Sequence, residues 1–171
     1  LGYQNFIVYP QSEEANNELF LAQNYFNQAL SDVDNNDSLF TLALNGSEGK
    51  YGFLDIIKNY SATDAADIAT YSAGMAYYNL NDFENSINYL QKFSSDDEIL
   101  NALALGVIGD SFAELNQLED ALDSYKSAIN SSKNQFTTPK FLLKAGNISY
   151  MLGKKREALE FYEIIKKDFS K

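Results

Sequence analysis

The chain has 171 residues and contains no Cys and no His. This length suffices for one elongated domain, and the two missing residue types exclude disulfides, thiol chemistry, Ser-His-Asp catalysis and the usual His-containing metal sites. The net charge of −11 at pH 7 argues against a nucleic-acid partner, because phosphate contacts need a basic surface.

The charge is unevenly distributed along the chain. Residues 1–49 contain seven acids and no Lys or Arg, whereas residues 126–171 contain ten of the 13 basic residues and only four acids. Cations such as Lys166 and Lys167 are typical of a solvated helix face near a helix C-terminus. A molecule with one acidic and one basic end can also associate head to tail.

Residues 1–10 form an aromatic stretch in which Tyr3, Phe6 and Tyr9 recur every three residues. Aromatic side chains collect at the water side of membrane-spanning helices, and flanks outside the cytoplasm carry few positive charges. We therefore expect 1–10 to be a juxtamembrane remnant, preceded in the full gene product by a hydrophobic segment of ~20 residues. The alternative is an extra apolar strip that packs on the first helix.

Residues 11–66 are interpreted as a degenerate pair of helices with an insertion. Leu21 and Tyr25 suit the first helix of the pair, and Phe53 and Ile56 suit the second. The inserted residues combine a polar turn with a short apolar segment. Two residues are candidates for the N-cap of the helix that follows, and these are Ser61 and Thr63.

Three later stretches repeat one spacing, which is a Gly, a Leu six residues on and a small residue six after that. The triplets are Gly74/Leu80/Ser86, Gly109/Leu115/Ala121 and Gly146/Leu152/Ala158. The glycines are 35 and then 37 residues apart, a period typical of stacked supersecondary units. Apolar residues recur at helical spacing on either side of a short turn that contains Asn or Gly. Each unit is therefore predicted to be two helices that cross closely at the Gly and the small residue.

The residues around each Gly resemble tetratricopeptide repeats. The second stretch shows this best, with Leu105, Ile108, Gly109, Phe112, Ala121, Tyr125 and Ala128 at the fitting offsets. The resemblance implies an all-α solenoid of helical hairpins, wound as a right-handed superhelix. It gives three clear repeats, 67–101, 102–138 and 139–171, after the degenerate one. It also implies a non-catalytic protein–protein interaction module.

In such repeat arrays the first helix of each pair lines a concave groove, so the resemblance also implies a set of binding residues. These are Ile68, Tyr71, Met75, Tyr78, Asn79, Leu103, Asp110, Glu114, Leu143, Asn147, Tyr150 and Met151. A groove lined by aromatic residues and Met suits a peptide with apolar anchors. Alternatively, the aromatic residues pack on one another or under an N-terminal helix. Only Asn147 matches the Lys and Asn pattern of carboxylate-binding repeats, so that type of site is rejected.

Repeat arrays usually need a polar capping helix after the last repeat, and we expect the last predicted helix here to lack one. We expect Phe161, Ile164 and Phe169 to lie on its outer side as an interface for a partner or a second copy. No cofactor and no metal site is predicted. Residues 46–50 lack the spacing of a phosphate-binding loop and are expected to form a turn, and residues 32–37 depart from the calcium-loop pattern.

A membrane segment followed by a tetratricopeptide body is similar in layout to the bacterial ancillary Sec-translocon subunit. This second resemblance implies a scaffold or chaperone-like adaptor at the bacterial inner membrane, with the domain facing the periplasm and binding apolar peptide segments. The alternative function is a soluble adaptor that assembles with itself through its charged ends and terminal helix, and the alternative location is cytoplasmic.

Overall fold

Helices supply nearly all the regular structure of the computed structural model, which describes residues 9–32 and 34–169. Within these ranges the one β-type pairing is an isolated bridge between Ser47 and Lys50. The all-α prediction is therefore confirmed. In chain order the helices are α1 Tyr9–Ser31, α2 Asn36–Asn45, α3 Phe53–Asn59, α4 Asp64–Asn79, α5 Phe83–Leu90, α6 Glu98–Glu114, α7 Leu118–Ser131, α8 Thr138–Met151 and α9 Lys155–Asp168.

The chain divides into two compact units, each with its own buried core. Unit 1 ends at Phe93 and comprises α1 to α5, whereas unit 2 begins at Ser94 and comprises α6 to α9. The predicted division into one degenerate and three clear repeats remains a prediction. The helix pairs α4/α5, α6/α7 and α8/α9 correspond in order to the three predicted repeats, but the first helix of each pair begins before the predicted boundary, at Asp64, Glu98 and Thr138.

The core of unit 1 is aromatic where α1, α2 and α3 meet. Phe40 and Phe53 are fully buried, and the ring of Phe26 meets both of them edge-on at centroid distances of 5.4 Å and 6.0 Å. The segment predicted as an insertion holds the whole of α2, and Phe40 is its main core residue. Four alanines of α4 complete this core, and they are Ala65, Ala69, Ala73 and Ala76.

Of the two predicted N-cap residues, Ser61 and Thr63, the structure shows Thr63 at the start of α4. Thr63 lies in extended backbone, and its hydroxyl oxygen accepts a hydrogen bond from the Ala66 amide at 3.3 Å. In unit 2, Asp97 caps α6 in the same way, because its carboxylate accepts hydrogen bonds from the amides of Ile99 and Leu100. Such caps satisfy amide groups that have no partner inside the helix.

The turns inside the three helix pairs share one geometry. Asn81, Asn116 and Gly153 each have a positive φ, between 58° and 77°. In each turn the next amide donates to a carbonyl five residues earlier, at 2.8–2.9 Å. This is the left-handed helix stop that Asn and Gly favour, and it confirms the stop signals predicted from the sequence.

Each repeat glycine faces a large side chain of the second helix in its pair. A Cβ at Gly74 would lie 2.5 Å from the Leu90 side chain, and one at Gly109 would lie 2.6 Å from the ring of Tyr125. Gly146 meets Tyr162 in the same way. The predicted close crossing is therefore present, and the residue opposite the glycine is a large one, sixteen positions later. The small residues Ser86, Ala121 and Ala158 are also buried.

Candidate functional site

In unit 1, the predicted binding residues lie on the side of α4 that faces away from the core. Ile68 is 43% exposed, and Tyr71, Met75, Tyr78 and Asn79 are half-buried. Their spacing of three or four residues places them in one row along the helix. We call these five residues the α4 strip.

Two aromatic residues from outside α4 support this strip. The ring of Phe93 lies 5.1 Å from that of Tyr71, and the ring of Phe83 lies 5.7 Å from that of Tyr78. Burial raises the pKa of the Tyr71 hydroxyl. The Asn79 amide donates to the carbonyl of Met75 at 2.8 Å, so this side chain is held against its own helix. The rings of Tyr71 and Tyr78 are therefore partly covered by Phe93 and Phe83.

The three predicted residues of α6 have different surroundings. Leu103 packs against the core of unit 2, and Glu114 is exposed. The side chain of Asp110 is only 16% exposed. Its Oδ1 accepts hydrogen bonds from the hydroxyl of Tyr125 at 2.6 Å and from Nζ of Lys144 at 2.5 Å. Asp110 therefore joins three helices, α6, α7 and α8, instead of facing solvent as an isolated acid.

Sequence reasoning did not place Lys144 and Tyr125 beside Asp110. A signal existed, because Asp110 directly follows one repeat glycine and Lys144 lies two residues before the next. Opposite charges near the glycines of two neighbouring repeats, each on the first helix of its pair, favour an ion pair between the repeats. The Lys144 ammonium group also lies 5.7 Å from the centroid of the Tyr125 ring, where a cation is favourable.

The predicted residues of α8 form the most exposed apolar row of unit 2. Leu143, Tyr150 and Met151 are 50%, 62% and 63% exposed. Asn147 lies between them and accepts a hydrogen bond from the Tyr162 hydroxyl at 2.9 Å. We call these four residues the α8 strip. Large apolar side chains that share one helix face at this exposure are typical of a surface that contacts a partner.

The three residues predicted as an interface on the last helix differ in their exposure to solvent. Phe161 packs against the core of unit 2, and Phe169 is half-buried. Ile164 is exposed, and so is Leu159, a residue that sequence reasoning did not select.

Within the described part of the chain, every ion pair lies in unit 2. They join Lys126 to Glu157, Lys144 to Asp110, Lys154 to Glu119 and Arg156 to Glu160. The hydrogen bond from Lys126 is the main cause that lowers the pKa of the Glu157 carboxyl. In unit 1 the main titration effect concerns Tyr60, whose pKa is raised to about 12 by burial and by the nearby carboxylate of Glu14.

Among the described residues, no three Asp or Glu side chains are grouped so that they could hold a metal ion. Residues 46–50 form a tight turn in which Ser47 and Lys50 exchange backbone hydrogen bonds, as predicted. None of the described helices has the length and apolar character needed to cross a bilayer. Tyr3 and Phe6 of the predicted juxtamembrane stretch lie outside the described residues.

Comparison with known proteins gives two matches. Residues 69–95 match a family model described as tetratricopeptide repeat, and residues 141–171 match a second model of the same description. The first segment carries most of α4 and all of α5, and the second carries most of α8 and all of α9. No curated protein matches the chain.

Proposed function

This chain is a tetratricopeptide-repeat protein of the helical-hairpin class, and we propose that it binds apolar peptide segments of partner proteins on the α4 and α8 strips. Tetratricopeptide repeats are protein–protein interaction modules and carry no catalytic machinery of their own. The observation that carries the proposal is the row of exposed Leu143, Tyr150 and Met151 on one face of α8.

The physical case for α8 is the cost of leaving this row in water. Removing apolar surface from water is favourable by about 25 cal/mol per Å², and a row at positions three or four apart accepts a helical or extended ligand. Met and Tyr suit this role because Met adapts its shape and Tyr adds a hydrogen-bonding group to an apolar ring.

Peptide selection on the full chain tests the proposal. Random peptides displayed on phage are selected against the wild-type protein, and we expect the retained peptides to share Leu, Phe or Met at spacings of three or four. Leu143→Asp combined with Tyr150→Asp should abolish their retention, because both changes place charge in the apolar row. Phe136→Asp is the matched control, since Phe136 is 84% exposed and lies outside the strip.

Two results would contradict the proposal for α8. One is that no peptide family is enriched on the wild-type chain. The other is that the double variant retains the same peptides as the wild type while its circular dichroism shows an intact fold.

We further propose that the domain works outside the cytoplasm and close to a membrane, as an anchored scaffold of the bacterial envelope. The support is the absence of Lys and Arg from residues 1–49, which fits the non-cytoplasmic side of a membrane. Protease treatment of intact spheroplasts of the source cells is the test. Digestion of the domain before lysis is expected, whereas protection until lysis would place it in the cytoplasm.

A second candidate function is self-assembly through α9. Leu159 and Ile164 are exposed there, on the helix that carries Lys155, Arg156, Lys166 and Lys167. Sedimentation velocity separates this candidate from peptide binding. Self-assembly through charged ends predicts a mass that falls as salt is added, and Ile164→Glu should then favour the monomer. A single monomeric species at all salt concentrations would dismiss it.

A further inference from the structure

The α4 strip of unit 1 is bordered by carboxylates at one end. Asp64 and Asp67 are exposed, and each precedes an apolar residue of the strip by four positions, Ile68 and Tyr71 respectively. Residues four apart on a helix lie side by side. A ligand that covers Ile68 and Tyr71 therefore has two carboxylates directly beside it.

No Lys or Arg side chain among the described residues forms an ion pair with Asp64 or Asp67. Residues 1–93 contain twelve acids and three basic residues, and in the described part of unit 1 no cation forms an ion pair with a carboxylate. Lys92 is the basic residue nearest in sequence to Phe93, and its ammonium group lies over the Tyr89 ring at 5.3 Å.

The α8 strip of unit 2 has basic residues beside it, where the α4 strip has acidic ones. Lys140 precedes Leu143 by three positions, and its ammonium group lies 5.8 Å from the Phe141 ring. Lys144 precedes Asn147 by three positions and is paired with Asp110. Because Asp110 compensates the charge of Lys144, Lys140 is the cation beside the α8 strip, whereas Asp64 and Asp67 stand beside the α4 strip.

From this difference we infer that the α4 strip docks a cationic amphipathic segment of a partner protein. Its apolar side chains cover Ile68, Tyr71 and Met75, and its Lys or Arg side chains reach Asp64 and Asp67. This inference rests on the proposed function and specifies the ligand of one of its two surfaces. Apolar contact supplies most of the affinity, and the charge pairs raise the association rate and reject acidic ligands.

Three fluorescein-labelled peptides of identical Leu spacing test the inference on the full chain by fluorescence anisotropy. Their polar positions carry Lys, Glu or Gln. We expect the Lys peptide to bind about five- to tenfold more tightly than the Gln peptide, with two charge pairs of modest strength, and the Glu peptide to bind least. The advantage of the Lys peptide should shrink at high salt.

Two matched variants separate the docking site from the overall negative charge of the chain. Asp64→Asn combined with Asp67→Asn removes two charges at the strip, and Asp34→Asn combined with Asp37→Asn removes two exposed charges elsewhere in unit 1. We expect the first variant to lose the preference for the Lys peptide and the second to keep it. An equal loss in both variants would mean general attraction to an acidic protein, and would overturn the inference.

The remaining outcomes are also decisive. Equal binding of all three peptides, lost in Tyr71→Ser combined with Met75→Ser, would overturn the charge preference and leave the proposed function intact. Absence of binding by any peptide, with no peptide family enriched on the α8 strip, would overturn both. If sedimentation shows dimers of the wild-type chain that dissociate in the Asp64→Asn and Asp67→Asn variant, the occupant is a second copy and not a partner peptide.

Discussion

Units 1 and 2 are built from similar helix pairs but are stabilised by different interactions. In the described residues of unit 1, aromatic rings meet in six places, and no ion pair is formed. Among the described residues of unit 2, the ring pair of Tyr125 with Phe141 is accompanied by ion pairs that link α6 to α8, α7 to α9 and the α7 N-terminus to Lys154. One fold class therefore accommodates a unit rich in ring contacts and a unit that adds ion pairs to its apolar core.

The difference follows from how regular each unit is. Unit 2 consists of two helix pairs whose repeat glycines are 37 positions apart, so the first helices of the two pairs can place opposite charges side by side, as they do with Asp110 and Lys144. Unit 1 packs three irregularly spaced helices, α1 to α3, against one repeat. Large rings such as Phe40 and Phe53 fill the space between helices that do not repeat.

The largest effect should come from truncating one buried ring in each unit. Phe53→Ala in unit 1 and Phe141→Ala in unit 2 should each lower the free energy of unfolding by about 3–5 kcal/mol, the usual cost of emptying a ring-sized space in a core. Phe53 is fully buried, and Phe141 is 2% exposed and fills the space beside Gly106. Urea unfolding followed by far-ultraviolet circular dichroism measures both.

Phe136→Ala is the control for the ring truncations, because this ring is 84% exposed and its loss should change stability by no more than about 0.5 kcal/mol. A loss in Phe141→Ala as small as that of the control would mean that the ion pairs, and not the ring, hold unit 2 together. Unit 2 would then depend on its ion pairs more than on its aromatic core.

The sequence was sufficient for the parts of the fold that depend on local chemistry. The positive-φ stops at Asn81, Asn116 and Gly153 and the cap at Thr63 follow from residue type and spacing. In contrast, α2 occupies a segment predicted as an insertion. With only 10 residues, α2 is too short for its apolar residues to show a clear helical period. The burial of Phe40 against Phe26 is a tertiary contact, which no local sequence pattern shows.

The exposed faces of α4 and α8 follow from apolar residues at helical spacing, whereas their role as a binding site stays a prediction. Its polar contacts were not. Asp110 was selected as a residue facing the groove, yet its carboxylate is occupied by Tyr125 and Lys144. Such pairing depends on the separation of two helices and on the reach of a Lys side chain. A sequence read one helix at a time gives neither quantity, and so the pairing of Asp110 became visible only in the structure.

High pH should destabilise unit 1 through its buried tyrosines. The pKa of Tyr60 is raised from 10.0 to about 12, and burial also raises the pKa of Tyr71 and of Tyr77. The unfolded chain releases the Tyr60 proton near pH 10 and the folded chain releases it only near pH 12. The contribution of protonated Tyr60 to the free energy of unfolding is therefore fully present below pH 10 and is lost as the pH rises from 10 to about 12.

Tyr60→Phe is the direct test of this alkaline effect. Denaturant unfolding between pH 9 and pH 12 should show a shallower loss of stability in the variant than in the wild type. Tyr71→Phe is the companion variant, and its effect should be smaller because burial is the one cause that raises its pKa. An unchanged slope in Tyr60→Phe would show that unit 1 owes its alkaline response to other groups.

Low pH should act on unit 2, and this is the smallest of the expected effects. The pKa of Glu157 is lowered from 4.5, chiefly by the hydrogen bond from Lys126, whose Nζ lies 2.6 Å from Oε1. A lowered pKa gives stability that is present above pH 4.5 and is lost as the pH falls towards the folded value. Because both side chains are about a third exposed, the pair is worth no more than about 1 kcal/mol.

Glu157→Gln should make the acid limb of the stability curve less steep, and Lys126→Met should do the same, because each removes one end of the pair. The decisive result is that both variants flatten the acid limb to the same extent. If the substitutions acted by disturbing packing, their effects on this slope would differ, because a Gln and a Met pack differently. If Glu157→Gln flattens the acid limb while Lys126→Met leaves it steep, the hydrogen bond that Ser149 donates to Glu157 at 3.2 Å holds the carboxylate instead. The acid response of unit 2 would then come from within one helix pair, α8 with α9, and not from a contact between repeats.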